Sequence, residues 1–335
     1  MWPPPIWLMR QAGRFLPEFR ALREKADFLT RCMTPDLATE ITLQPIRRFA
    51  MDGAILFSDI LILPWAMGQS LQFIDKRGPV LEPIRSEADL ARLDPARIEE
   101  RTAPVAETLR RVRKALGEQV GAAAPDTVTL IGFAGAPFTV SCYMVDGGSS
   151  KEFAQTRLMA FREPALFDRL INLLMETTAS MLADQIEAGA QAVMLFDSWS
   201  GLLPPHEFRR HVINPTRQIV QSLKSRYPDV PVIGFPRLAG VMAPEYARET
   251  GVDAMALDTG ADLTTIASQV RSDLVLQGNL DPVAVLAGGK AMIREALAIR
   301  EAGKGRPHVF NLGHGVLPET PTEHVGELIA ALRTV

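Results

Sequence analysis

Three stretches of this chain repeat one pattern, and that pattern limits the fold more than any other feature. They are MDGAILFSD at 51–59, AGAQAVMLFDS at 188–198 and TGVDAMALDT at 250–259. In each, a helix-like stretch stops at or near a glycine, a short apolar run follows, and the run ends in an acid. A glycine just past a helix end and a strand buried on both faces explain the first two features. Four more runs fit the same role: VTLIGFAG at 128–135, VPVIGFP at 230–236, LVLQGNLD at 274–281 and HVFNLGHG at 308–315. Together they make seven strand candidates.

Between them lie stretches of helical periodicity with start signals. TPDLATEITLQPIRRF places Thr34 as N-cap and Pro35 in the first turn. The segment 152–190 divides into two helices near Pro164, and 281–303 continues the alternation. Alternating strands and helices imply parallel pairing through right-handed crossovers. Seven or eight such units in 335 residues favour an α/β fold of the TIM-like (β/α)8 barrel type over an open doubly wound sheet, although no eighth strand is evident. No low-complexity linker or shift of composition divides the chain, so 1–335 reads as a single domain. An excursion near 70–85, SLQFIDKRGPVLEPIR, reads as a hairpin turning at Arg77, Gly78 and Pro79.

A barrel gathers its chemistry where strands end, and these strand ends carry Asp59, Asp197 with Ser198, Asp258, Asp281 and His314. Each has an alternative reading as the cap of the next helix, and Asp281, followed by Pro282, fits that reading best.

Charge narrows the partners. With 36 basic and 39 acidic residues the net charge is −3, so no global positive field of the kind nucleic-acid binding requires is present, and any anion site must be local. Cys32 and Cys142 provide neither a disulfide framework nor paired metal-ligand spacing, which suits a reducing, cytoplasmic setting. The apolar run AILFSDILIL at 54–63 is too short for a membrane span and carries Asp59 in its middle. The opening MWPPPIW lacks the basic and apolar regions of an export signal.

Several familiar motifs fail. HEFRRH at 206–211 spaces its histidines five apart, which on a helix points them well away from each other and argues against zinc; a surface helix start fits instead. No phosphate-binding G-x-x-x-x-G-K-[ST] run occurs, and the glycines of GFAGAPF lack dinucleotide spacing. No G-x-S-x-G elbow is present, and Cys142 reads as a small buried residue.

Two features remain. WLMRQAGRFLPEFRALR at 7–23 concentrates Arg10, Arg14, Arg20 and Arg23 in one stretch. Gly13 argues against a regular helix there, so the stretch reads as a loop able to fold over a ligand. Guanidinium groups grip carboxylates bidentately. Trp7, Leu8, Met9 and Phe15 would supply apolar surface for the ligand's body, which suits a greasy frame bearing several carboxylates. Surface salt bridges to Glu18 and Glu24 are the competing reading. Asp59, in turn, is an acid embedded in apolar sequence, and burial is costly without a partner. An ionised carboxylate only accepts hydrogen bonds, so its complement is a cluster of N–H donors or a cation.

The runs PIWLMRQAGRFLPEFR at 5–20, FSDIL at 57–61, GFAGAPFTVSCYMVDGG at 132–148, LFDSWSG at 195–201 and FNLGHGVLPETP at 310–321 together resemble the uroporphyrinogen decarboxylases over essentially the whole chain. That resemblance implies a distorted (β/α)8 barrel acting as a homodimer without metal, coenzyme or prosthetic group. It implies conversion of the four acetate side chains of uroporphyrinogen III to methyl groups, giving coproporphyrinogen III and carbon dioxide. Arg10, Gln11, Ala12, Gly13 and Arg14 match the family's carboxylate-binding segment, and Asp59 matches its central acid, a transition-state stabiliser. Tyr143 and Ser198 match substrate-contacting positions, and His314 matches a histidine near the C-terminus. For the proton donor the resemblance leaves Arg10, His314 and water relayed through a substrate carboxylate open.

Some positions depart from the family pattern. FPRLAG at 235–240 has Leu238 where a glycine is expected, LDTGADL at 257–263 lacks a tryptophan after the aspartate, and the first signature lies close to the start, as if an N-terminal extension were abbreviated. Two rivals are a related barrel methyltransferase that uses zinc to serve a corrinoid protein, and a non-catalytic tetrapyrrole-binding homologue. The first needs a late His and Cys set, whereas both cysteines precede residue 143; the second should have lost Asp59 or the arginines, which are present.

Overall fold

The computed structural model describes residues 2–74, 77–120 and 128–334. In chain order the strands are β1 (Gly53–Ile55), β2 (Leu71–Ile74), β3 (Gly78–Leu81), β4 (Thr129–Gly135), β5 (Ala192–Asp197), β6 (Val232–Pro236), β7 (Ala254–Ala256), β8 (Val275–Gln277) and β9 (His308–Val309). All but β2 and β3 join one sheet in the order β1-β4-β5-β6-β7-β8-β9, with every neighbouring pair parallel. Each apolar run read above as a buried strand contains one of these seven. They are apolar on both faces because helices cover the outside and side chains fill the inside.

The sheet closes through a segment that the sequence pattern does not reveal. Ile6 forms a parallel bridge with Phe310, where Phe310 N–H donates to Pro5 O (2.9 Å) and Trp7 N–H to Phe310 O (3.3 Å). On the other side Asp52 N–H donates to Ile6 O (2.8 Å), and Ile6 N–H returns a bond to Asp52 Oδ2 (2.7 Å). Residues 5–7 therefore act as the eighth stave between β9 and β1. Pro3, Pro4 and Pro5 have no N–H to donate, which keeps this stave short and hides it from strand signals.

Helices occupy the intervals. Pro35–Phe49 starts after Thr34 and ends at Ala50, which takes the left-handed conformation (φ 51°). The stretch after β4 holds Pro137–Asp146, Ala154–Arg162 and Pro164–Glu187, the last two broken at Glu163, because a residue before proline avoids helical backbone. Asp281 caps Pro282–Ala287, its side chain accepting from Val283 N–H (2.8 Å).

β2 and β3 form an antiparallel pair outside the barrel, with Leu71 opposite Leu81 and Phe73 opposite Pro79. The turn comes earlier than expected: Gly78 and Pro79 belong to the second strand, and 75–76 lie outside the described residues. Proline is tolerated in a ladder this short because an edge strand can leave its missing N–H facing outward. Phe73 packs on Phe28 (ring centroids 4.5 Å apart), tying the pair to the short helix Phe28–Met33. Before it, the arginine stretch expected as a loop turns helical at Pro17–Arg23, so only its first part is a loop.

Candidate active site

The arginine loop hangs from the closing stave. Gln11 fixes it: its side-chain Oε1 accepts from Leu8 N–H (2.9 Å) and its Nε2 donates to the Gly53 carbonyl of β1 (2.8 Å), with the whole residue buried. On the other side Met9 N–H donates to Asn311 Oδ1 (2.9 Å) and Val316 N–H to Met9 O (2.8 Å). Between these anchors the backbone turns sharply, and Arg10 takes a left-handed φ of 60°. Such backbone is uncommon for a non-glycine residue and persists only where its surroundings enforce it. The Arg10 side chain then runs against Gly315, where a β-carbon would collide with its Cδ. Gly315 is thus required by close approach.

Arg10 keeps solvent access although protein surrounds it. Burial pulls its guanidinium down from the usual arginine range, Tyr143 and Asp59 oppose that, and the charges of Arg14 and Arg237 add to it. Among the described residues neither Arg10 nor Arg14 is held in an ion pair. The surface-bridge alternative fails at Glu18, which Arg48 engages with two nitrogens (2.8 and 3.0 Å). Ala12 and Gly13 are half-buried in the turn between the two arginines.

Asp59 follows β1 at the mouth. Its Oδ1 accepts from Leu61 N–H (2.8 Å), and its carbonyl accepts from Ile62 N–H (3.2 Å). Burial raises the carboxyl to about 6, while the Leu61 bond and the Arg10 charge pull the other way. At neutral pH it remains mostly ionised, an anion in an apolar wall with one oxygen uncommitted.

Tyr143, on the helix Pro137–Asp146, is held by Trp199, whose Nε1 donates to its hydroxyl oxygen (3.2 Å). Burial chiefly raises its pKa, so the phenol keeps its proton. His314 lies where the Arg10 and Arg237 charges reach it; burial first and these charges second lower the imidazole to about 3. It is a neutral ring that can offer an N–H but carries no extra proton to give. Ser198 follows β5 and is half-buried, its carbonyl 3.5 Å from Arg237 Nη1.

The barrel also contributes groups that sequence reasoning missed. Phe133 meets Phe196 edge-on (5.5 Å), Phe196 meets Phe235 (6.0 Å), and Phe235 meets His314 (6.5 Å). These rings, from β4, β5 and β6, make an apolar row leading to the histidine. Each is visible as a phenylalanine in a strand, but only the register of the parallel pairing makes them neighbours: Phe196 lies opposite Phe235, and Phe133 lies diagonal to Phe196.

Not every strand-end acid faces the mouth. Asp197 is buried with Oδ1 accepting from Thr139 Oγ1 (2.5 Å). Asp258 accepts from Leu238 N–H (2.6 Å) and Gly260 N–H (2.8 Å), a loop-fixing role. His206 and Arg209 are exposed, whereas Glu207, Phe208 and His211 are buried, His211 against Phe167 and beside Glu207, so HEFRRH is only partly a surface helix start. Cys142 is fully buried. A groove of about 370 Å³ between Pro164–Glu187 and Asn214–Arg226 lies in the outer helical layer and holds none of the strand-end groups. No helix is long and apolar enough to cross a membrane among the described residues.

Comparison with known proteins agrees with this arrangement. The family model described as "Uroporphyrinogen decarboxylase (URO-D)" matches residues 1–335. A protein of Gluconacetobacter diazotrophicus named uroporphyrinogen decarboxylase is 69% identical, covering 100% of this chain and 96% of its own. Another of that name from Gluconobacter oxydans is 65% identical over 100% of this chain and 94% of its own. A methyltransferase of Methanosarcina mazei shares the fold with a TM-score of 0.76 at 19% identity, covering 99% of this chain and 94% of that one.

Proposed function

The chain belongs to the uroporphyrinogen decarboxylase family, and from that premise we propose that its barrel mouth removes carbon dioxide from the four acetate side chains of uroporphyrinogen III, giving coproporphyrinogen III. The observation that carries the reading at residue level is the pairing of Asp59, an anion in an apolar wall, with Arg10 and Arg14, which among the described residues no protein carboxylate occupies. The substrate supplies the complement of both. Its pyrrole N–H groups converge on one carboxylate, while its rim carboxylates meet Arg10 and Arg14, with the backbone of Gln11, Ala12 and Gly13 setting the distance between them. The row Phe133, Phe196 and Phe235 lies under the apolar frame.

The chemistry follows from the ring. A carbanion left by loss of carbon dioxide is too costly, so the pyrrole is first protonated at the α-carbon beside the acetate-bearing position. The C–C bond to the carboxylate then breaks, and its electron pair forms an exocyclic double bond that neutralises the ring cation. A proton adds to the methylene to make the methyl group, and the α-proton leaves. The net change is one proton in and one carbon dioxide out for each acetate. Asp59 stabilises the cation as it develops, a preorganised electrostatic effect commonly worth about 3–4 kcal/mol. Tyr143, Ser198 and His314 position carboxylates and rings. Of the candidate donors, His314 is disfavoured by its low pKa, which leaves Arg10, eased downward by burial, and relayed water.

In this reading residues 1–335 form one domain that acts as a cytoplasmic homodimer without metal or coenzyme. Nucleic acid and membrane take no part. The rival zinc methyltransferase needs a convergent ligand set, and among the described residues no three His, Cys, Asp or Glu side chains are placed to hold a metal ion. Incubating the metal-stripped protein with uroporphyrinogen under reducing conditions, then separating the products by carboxylate number, tests the reading. Stepwise conversion to the four-carboxylate product is expected; no conversion, or conversion only after zinc is added, defeats it.

A further inference from the structure

Arg237 directly follows β6, halfway round an eight-stave ring from the 5–7 segment that carries the arginine loop. Its backbone is clamped: the N–H donates to Asp197 O (3.1 Å), and the carbonyl accepts from Gly201 N–H (3.1 Å) and Ser200 Oγ (2.9 Å). The next residue, Leu238, is held in a left-handed conformation (φ 60°) by its bond to Asp258. The side chain is committed to far less. Its Nη1 lies 3.5 Å from Ser198 O, at the outer limit of a hydrogen bond, and among the described residues Arg237 is in no ion pair. It nonetheless sits close enough to Arg10 and His314 for its charge to ease protons off both.

A rigidly mounted cation near Arg10 meets like charge in the empty protein, and among the described residues no paired carboxylate offsets that repulsion. An arriving anion does. We infer that Arg237 is a further substrate-binding residue, which takes a rim carboxylate on the β5–β6 side of the mouth, opposite those held by Arg10 and Arg14. The inference rests on the tetrapyrrole reading above and extends it from a one-sided grip to a two-sided one. A macrocycle held from opposite staves is centred over Asp59, whereas one held only by the arginine loop is free to tilt.

The test compares Arg237→Gln and Arg237→Lys with the unsubstituted protein, using uroporphyrinogen as substrate and thermal melting as a check on folding. The glutamine variant is expected to raise KM by about tenfold, equivalent to about 1.4 kcal/mol of binding, with kcat within about threefold. Lysine keeps the charge but loses the fork, so it should recover part of the loss. An unchanged KM in Arg237→Gln overturns the inference while leaving the proposed function standing. So does an equal rise in both variants with a lowered melting temperature, which marks a role confined to the Ser198 contact. Absence of turnover in the unsubstituted protein defeats the proposed function itself, and the anchor with it.

Discussion

Asp59 and Asp197 are both acids at the ends of barrel strands, and burial raises both carboxyl groups, to about 6 and about 7. Their surroundings differ in kind. Asp59 lies at the mouth, half-buried, with Arg10 near enough to favour its charged form. Asp197 is 1% exposed behind the barrel wall, with Thr139 Oγ1 on one oxygen and no hydrogen-bond partner on the other. A raised pKa therefore does not by itself single out an acid for catalysis; access and a neighbouring cation are what favour Asp59 in the proposed reaction. Asp197 steadies the start of the helix that carries Tyr143, through Thr139 and the Trp199 N–H that Thr139 accepts (3.0 Å).

The comparison predicts its largest contrast in turnover. Asp59→Asn should fold normally and lower kcat by at least about a hundredfold, because a neutral amide cannot offset the ring cation. Asp197→Asn should stay within about threefold. Parallel rate and circular-dichroism measurements check both, and an equal loss in the two variants breaks the distinction. The pH dependence sharpens it. Asp59 must be ionised, so kcat/KM should fall about tenfold per unit as pH drops below about 6, and it should level off above. An inflection near 7 that disappears in Asp197→Asn would transfer the role to the sealed acid.

The same contrast shows how much was legible in sequence. The seven sheet strands, the break before Pro164 and the Asp281 cap followed from local pattern, since each rests on residues adjacent in the chain. Asp59 and the arginines stood out because charge in apolar sequence needs a reason. The closing stave did not, because prolines erase strand signals and its partners lie 46 and 304 residues away, read as Asp52 minus Ile6 and Phe310 minus Ile6. Arg237 and the phenylalanine row were equally hidden, since strand pairing and register, not local pattern, assemble them. Gln11 belongs to the arginine motif, yet its side chain serves the loop's anchorage. Leu238 shows why a glycine is expected at its position: the backbone there is left-handed.

A smaller effect is expected at the rim. Arg14 is exposed and lies beside Arg10, so Arg14→Ala should raise KM for uroporphyrinogen by about tenfold with little change in kcat, in line with the loss of one charge-assisted bond. Steady-state kinetics at fixed ionic strength decide it. An unchanged KM would confine the carboxylate grip to Arg10 and the far side of the mouth.

The smallest effect on activity should be the clearest in stability. A carboxyl whose folded pKa lies above its unfolded value takes up a proton on folding, so the fold gains as pH falls and loses as pH rises from about 4 towards 7. For Asp197 that loss is complete above about 7, where the buried group must ionise with one oxygen unbonded. Asp197→Asn keeps an oxygen for Thr139 and removes the charge. It should melt higher than the unsubstituted protein at pH 8, by on the order of 5 °C, and the gap should close as pH approaches 4. Asp59→Asn should show a similar but smaller gap, since its folded pKa is nearer the unfolded value and Arg10 already favours its charge. Melting curves at the two pH values separate the cases. A gap for Asp59 larger than for Asp197 would mean that the mouth is the drier site, and that exposure to solvent is not what distinguishes the two acids.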